Sequence, residues 1–99
     1  VDEPALLARV LTACGTVAGY LYDAEAAAAY YAEAAEFARA TGDLWRLSHI
    51  LAQQSNSEVL LGDPSRAQAV AEEGRDLADA IGDPFGSRQC RLSLAFAHL

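Results

Sequence analysis

The stretch Ala80-Ile81-Gly82-Asp83-Pro84 decides the fold, because it recurs in part as Leu61-Gly62-Asp63-Pro64 and as Ala40-Thr41-Gly42-Asp43, so that the Gly-Asp pairs stand twenty residues apart. Glycine takes the left-handed conformation that ends a helix, and the Asp that follows caps the next helix by accepting from its free N–H groups. Pro64 and Pro84 then fall at the first helical position, where a missing N–H costs nothing. Tyr22-Asp23 occupies the matching earlier point, with Asp23 as cap and Tyr22 in place of glycine. This punctuation predicts five helices, over 4–22, 24–41, 44–61, 64–81 and 84 to the end. Turns this short only reverse the chain, so successive helices are antiparallel neighbours.

Sliding the sequence against itself by 40 residues pairs Leu7 with Leu47, Leu11 with Leu51, Leu21 with Leu61, Ala27 with Ala67, Glu33 with Glu73 and Ala38 with Ala78. Odd-numbered helices therefore form one class and even-numbered helices another, and the unit is a hairpin of the two. At helical spacing, Ala27, Tyr31, Ala34 and Ala38 line one stripe, Ala67, Ala71, Gly74 and Ala78 its equivalent, and Leu7, Leu11, Cys14, Gly15 and Ala18 a third. Small residues at these crossings let backbones approach closely, and stacking buries a core that no single hairpin could bury. The expected fold class is all-α, an antiparallel helical-hairpin superhelix of about five helices in a single domain over 1–99.

Composition agrees: 53% of the residues are hydrophobic, much of that alanine, while aromatics are 8%. Alanine loses no side-chain entropy in a helix. The chain carries 14 acidic residues against 7 basic, all of them Arg, for a net charge of −7. That balance argues against direct nucleic-acid contact, which rests on cationic neutralisation of phosphates. Cys14 and Cys90 show neither a CxxC pair nor a His at metal-ligand spacing, and read as reduced, buried structural thiols in a cytoplasmic protein. The apolar stretch over 5–22 follows Asp2 and Glu3, contains Arg9 and reads amphipathically, as a packed helix rather than a membrane span. A start at Val1, the absence of Met and an apolar end at Leu94 to Leu99 suggest an excerpt from a longer protein.

The series Leu11, Cys14, Gly15, Ala18, Tyr22, Ala27, Tyr31 and Ala34 resembles the tetratricopeptide repeat, in which large, small and aromatic positions mark the first helix and alanine, aromatic, alanine the second. Ala18 stands where that family usually has an aromatic residue, and Tyr22 where it has glycine. The unit is longer than the family's ~34 residues. Alanine-rich repeats closing in an ATGD- or AIGD-like turn are similar to the helical-repeat region of large bacterial LuxR-type regulators of the maltose-activator kind. That resemblance implies a non-enzymatic interaction or effector-sensing module, flanked in such proteins by an ATPase and a helix-turn-helix. The alternative is a structural spacer or oligomerisation element attached to an ATPase, kinase or cyclase.

In stacks of this kind the first helix of each hairpin lines a concave groove, which makes Arg9, Thr16, Tyr20, His49, Gln53, Asn56 and Gln89 the candidate contacts for a protein segment or a small effector. The run Gln53-Gln54-Ser55-Asn56-Ser57-Glu58 interrupts an otherwise apolar helix, with Gln54 and Glu58 on the core stripe. It is either a polar lining for a ligand or a solvated face of a rotated helix. Trp45 and Phe85, at equivalent helix starts, read as staples onto neighbouring helices. Glu33, Glu36, Glu72, Glu73, Asp76 and Asp79 read as outward, solvated faces. No nucleophile-base set, phosphate loop or metal cluster is present in the sequence, so no catalytic residue, cofactor or metal is expected. The terminal helix, with Leu92, Leu94, Phe96 and Leu99, lacks a following helix to cover it and is expected to meet the next repeat of the parent protein or, in an isolated fragment, a second copy.

Overall fold

In a computed structural model, which describes residues 3–98, each Asp of the punctuation caps a helix. Asp23 accepts from the Ala26 N–H at 3.0 Å, Asp43 from Arg46 at 2.9 Å, Asp63 from Ser65 at 2.9 Å and Asp83 from Gly86 at 3.1 Å. The helices so delimited are α1 (Glu3–Tyr20), α2 (Ala24–Thr41), α3 (Leu44–Leu61), α4 (Pro64–Ile81) and α5 (Pro84–Ala97). Sequence and structure agree on five helices and a 40-residue hairpin unit. Helix α1 stops two residues short of the expected Tyr22, because Tyr22 itself turns left-handed at φ 58°. The Asp23 N–H then reaches back to the Ala18 carbonyl at 2.9 Å.

The same six-residue closure ties Asp43 to Ala38 and Asp83 to Ala78, with Gly42 at φ 72° and Gly82 at φ 76°. The third turn departs from the rule. Gly62 has φ −125°, not the left-handed geometry expected of it. In the twenty-residue register Glu58 replaces Ala18, Ala38 and Ala78, and its buried side chain closes the turn in place of a carbonyl. Its Oε2 accepts from the Asp63 N–H at 3.2 Å, and its Oε1 lies 3.4 Å from Arg66 Nη1. A Cβ at 62 would stand 2.6 Å from Glu58 Oε2 and would displace that carboxylate.

Odd helices form one layer and even helices the other, in a slab of 43 × 32 × 17 Å. The short axis is what two layers of helices at 8–10 Å spacing require. One core cluster, centred on Ala34, Ala35, Ala38, Leu47, Ile50 and Leu51, joins α2 to α3, and Ala52, Ala71 and Cys90 with Leu94 continue it between α3, α4 and α5. Gly74 marks a tight crossing, where a Cβ would lie 2.7 Å from Cys90 Sγ and 3.1 Å from Leu51 Cβ. Arg39 of α2 pairs with Glu73 of α4 across the outer layer, and Arg91 of α5 with Asp79 of α4 at 3.0 Å. The remaining acidic candidates are exposed, as expected.

Two further expectations are corrected. Trp45 and Phe85 are 57% and 56% exposed and staple nothing, because their side chains leave the first turn on the solvent side; the Arg88 guanidinium lies 6.0 Å from the Phe85 ring centre. Cys90 is fully buried, but Cys14 is only half-buried, on a face of α1 that no described helix covers. Leu92 and Phe96 are exposed on α5 as anticipated, while Leu94 packs inward and Leu99 lies outside the described residues. No helix among the described residues is long and apolar enough to cross a membrane.

Candidate functional site: a groove along the odd helices

The polar run of α3 divides by helical phase, so it is neither uniformly a lining nor a wet face. Gln54, Ser55 and Glu58 are buried; Asn56 is exposed, and Gln53 and Ser57 lie between. Ser55 is satisfied within the core, its Oγ 2.9 Å from both the Ala52 carbonyl and Ser93 Oγ of α5. Ser48 adds a second tie from α3 to α5, donating to the capping carboxylate of Asp83 at 2.9 Å. Hydrogen-bonded pairs of this kind compensate the desolvation of the hydroxyls.

The repeat-equivalents of Ser55 and Ser93 are Gly15 and Gln53, a pair without the hydroxyls that make this bond. The ring of Tyr31 stands against Gly15, close enough that a Cβ on Gly15 would lie 2.9 Å from it. Tyr31 is buried, and its hydroxyl is 3.0 Å from Thr16 Oγ1, which itself donates to the Thr12 carbonyl at 3.1 Å. In the next hairpin the position of Tyr31 is held by Ala71. A phenol ring thus packs on α1 where the following unit has a methyl group, and α1 lies farther from α3 than α3 does from α5.

The result is a row of two hollows of unequal size in equivalent places. Between α1 and α3 the cavity is about 560 Å³, lined by Thr16, Gly19, Tyr20, Tyr22, Tyr31, Gln53, Asn56, Ser57, Leu60 and Leu61. Between α3 and α5 it shrinks to about 210 Å³, lined by Asn56, Val59, Leu60, Gln89, Leu92, Ser93 and Phe96. Asn56 and Leu60 line both. Among the described residues, no Asp, Glu, Lys, Arg or His lines either hollow. The Gln53 amide nitrogen is 2.9 Å from His49 Nε2, and Gln53 Oε1 is buried without a partner among the described residues. Tyr20 and Tyr22, 80% and 82% exposed, stand at the rim.

Of the seven residues expected in the groove, Thr16, Tyr20, Gln53 and Asn56 line the larger hollow, and Gln89 lines the smaller with Asn56. His49 stands behind, holding the Gln53 amide, and Arg9 is exposed on α1 outside both linings. Tyr22, Tyr31 and Leu60 belong to the site and were missed. Tyr31 and Ala71 differ at equivalent positions of the two hairpins, and that contrast was a signal available in the sequence. Among the described residues no group of three or more His, Cys, Asp or Glu side chains is placed to hold a metal ion.

Over all 99 residues the chain is 52% identical to proteins from two strains of Mycobacterium tuberculosis and from Mycobacterium bovis, each bearing the name "Putative HTH-type transcriptional regulator". The chain spans 11% of the length of these curated relatives. No protein-family profile matches the sequence, and no solved structure matches it.

Proposed function

We propose that this chain is a non-enzymatic effector-sensing or protein-interaction segment of a bacterial transcriptional regulator, binding an uncharged ligand or peptide segment in the α1–α3 groove. The identity to named regulators over the whole chain supports the regulatory setting. The tetratricopeptide-like pattern and the ATGD-type turns support a LuxR-type parent, in which DNA contact falls to another part of the molecule. With a net charge of −7, this segment is itself unsuited to gripping phosphates.

The observation that carries the sensing role is the larger hollow itself, about 560 Å³ and lined, among the described residues, by uncharged side chains alone. Thr16, Gln53, Asn56 and Ser57 offer a ligand neutral polar contacts, and Tyr20 and Tyr22 close over an apolar edge. Tyr22 adds a second indication: a bulky residue held left-handed is a strained choice where the other turns use glycine, and such strain concentrates at binding sites.

The test is a reporter assay in a full-length regulator carrying this segment, with Tyr20→Ala and Asn56→Ala introduced singly. Both side chains are exposed, so the fold is kept, and each substitution is expected to shift the inducing dose several-fold. Wild-type dose-response in both variants, at wild-type protein levels, would overturn the proposal. If removal of one whole hairpin still abolished the response, the segment would be a spacer.

A further inference from the structure

The outer face of α1 and α2 carries a third hollow, of about 630 Å³, lined by Val10, Ala13, Cys14, Val17, Leu21 and Tyr30 among others. It is lined mainly by apolar side chains of α1 and α2, together with Asp23, and by no residue of α3. The repeat supplies a template for what covers it. Val10, Ile50 and Cys90 are equivalent residues on α1, α3 and α5; Val10 is 48% exposed, whereas Ile50 and Cys90 are wholly buried. Ile50 lies in the core cluster with Ala34, Ala35 and Ala38 of α2, and Cys90 lies against Gly74 of α4. On both covered odd helices, the cover is the small-residue stripe of the even helix that precedes it.

Several substitutions between the hairpins make this face of α1 and α2 more apolar than the matching face of α3 and α4. Val17 corresponds to Ser57, Cys14 to Gln54 and Ala26 to Arg66. A charge relation points the same way. Arg39, in the last turn of α2, pairs with Glu73 of α4. Glu33 is the repeat-equivalent of Glu73, is exposed, and pairs with no cation among the described residues.

We infer that this face is the seat of a further helix of the α2 class, alanine-striped and bearing an arginine in its last turn, supplied by the same polypeptide ahead of α1. Its stripe would lie over Val10, Cys14 and Val17, and its arginine would meet Glu33 as Arg39 meets Glu73. The relatives, of which this chain spans 11%, have ample length to provide such a helix. The inference does not depend on the ligand-binding role of the groove, which lies between α1 and α3.

The test extends the chain with a second copy of residues 24–42 joined directly to Glu3, the register in which α2 meets Asp43. The rate of Cys14 alkylation by iodoacetamide is the readout, with buried Cys90 as the unreactive internal control. The extension is expected to slow Cys14 alkylation roughly tenfold or more, and Val17→Asp is expected to restore the rate. In the unextended chain the same substitution, at an exposed position, leaves helicity and Cys14 reactivity unchanged. A parallel extension copying residues 64–82 guards against a copy that fails to fold. Unchanged Cys14 reactivity in both extended chains would overturn the inference. So would concentration-dependent Cys14 protection in the unextended chain that Val17→Asp removes, because the occupant would then be a second copy.

Discussion

Tyr22 has its backbone at φ 58° and its side chain almost wholly in solvent, so the conformation is not repaid by packing within the described structure. A left-handed non-glycine residue costs about 1 kcal/mol or more. Tyr22→Gly is therefore expected to stabilise the chain by about 0.5–1 kcal/mol in denaturant unfolding, while removing one wall of the groove. An unchanged or lower midpoint would show that the phenol ring contributes more to the fold than its exposure implies. Cys90 lies at the other extreme, fully buried, with desolvation raising its thiol pKa above the ordinary value. The unfolded chain releases that proton near pH 8.5, the folded chain only at higher pH. The resulting stability is complete below the unfolded value and is lost as pH rises through the folded one. The slope is at most about 1.4 kcal/mol per pH unit. Unfolding measured across pH 7.5 to 10, limits chosen from about one unit below to above that value, should show a decline that Cys90→Ala reduces.

At the scale of elements, α4 crosses α3 and α5 through Gly74, and the helix accepts a poor helix former there in exchange for closeness. Gly74→Ala would gain about 1 kcal/mol of helix propensity, but its methyl group would meet Cys90 Sγ and Leu51 Cβ inside contact distance. Overpacking a crossing costs about 1–3 kcal/mol, so thermal unfolding should report a net loss. Adding Cys90→Ala removes the nearer obstacle, and the double variant should be more stable than the sum of the two single losses. This crossing was legible in sequence, since Gly74 falls on the stripe of Ala67, Ala71 and Ala78. The caps were legible too, because Asp after Gly has one local meaning. What pattern alone did not reveal was the turn at Gly62. There a side chain of α3, Glu58, does the work of a backbone carbonyl, and periodicity carries no information about where a long side chain folds back. The exposure of Trp45 and Phe85 escaped for a related reason: a first-turn position can face either way, and the entry angle of the chain decides.

At the scale of the molecule, each hairpin touches only its neighbours, so the stack tolerates changes of length that respect the alternation of helix classes. Excising residues 24–63 joins Asp23 to Pro64 and leaves α1, α4 and α5 in the order odd, even, odd. Excising 24–43 brings two odd helices into succession. The first deletion is expected to keep a cooperative, though lower, thermal transition by far-UV circular dichroism, and the second to lose cooperativity. Equal behaviour of the two would mean that the helix classes are interchangeable. The candidate groove was legible only in outline, as a row of polar positions on the odd helices. Its depth came from the packing of the even layer behind it.

That dependence has a wider consequence. Tyr31 lines the wider opening, and its equivalent in the next hairpin, behind the narrower one, is Ala71, so the even layer changes where the calibre of the opening changes. The residues that face the opening lie mainly on other positions. Aperture and chemistry can thus vary separately along such an array, one notch at a time, much as the bore and the lining of a pipe are chosen independently.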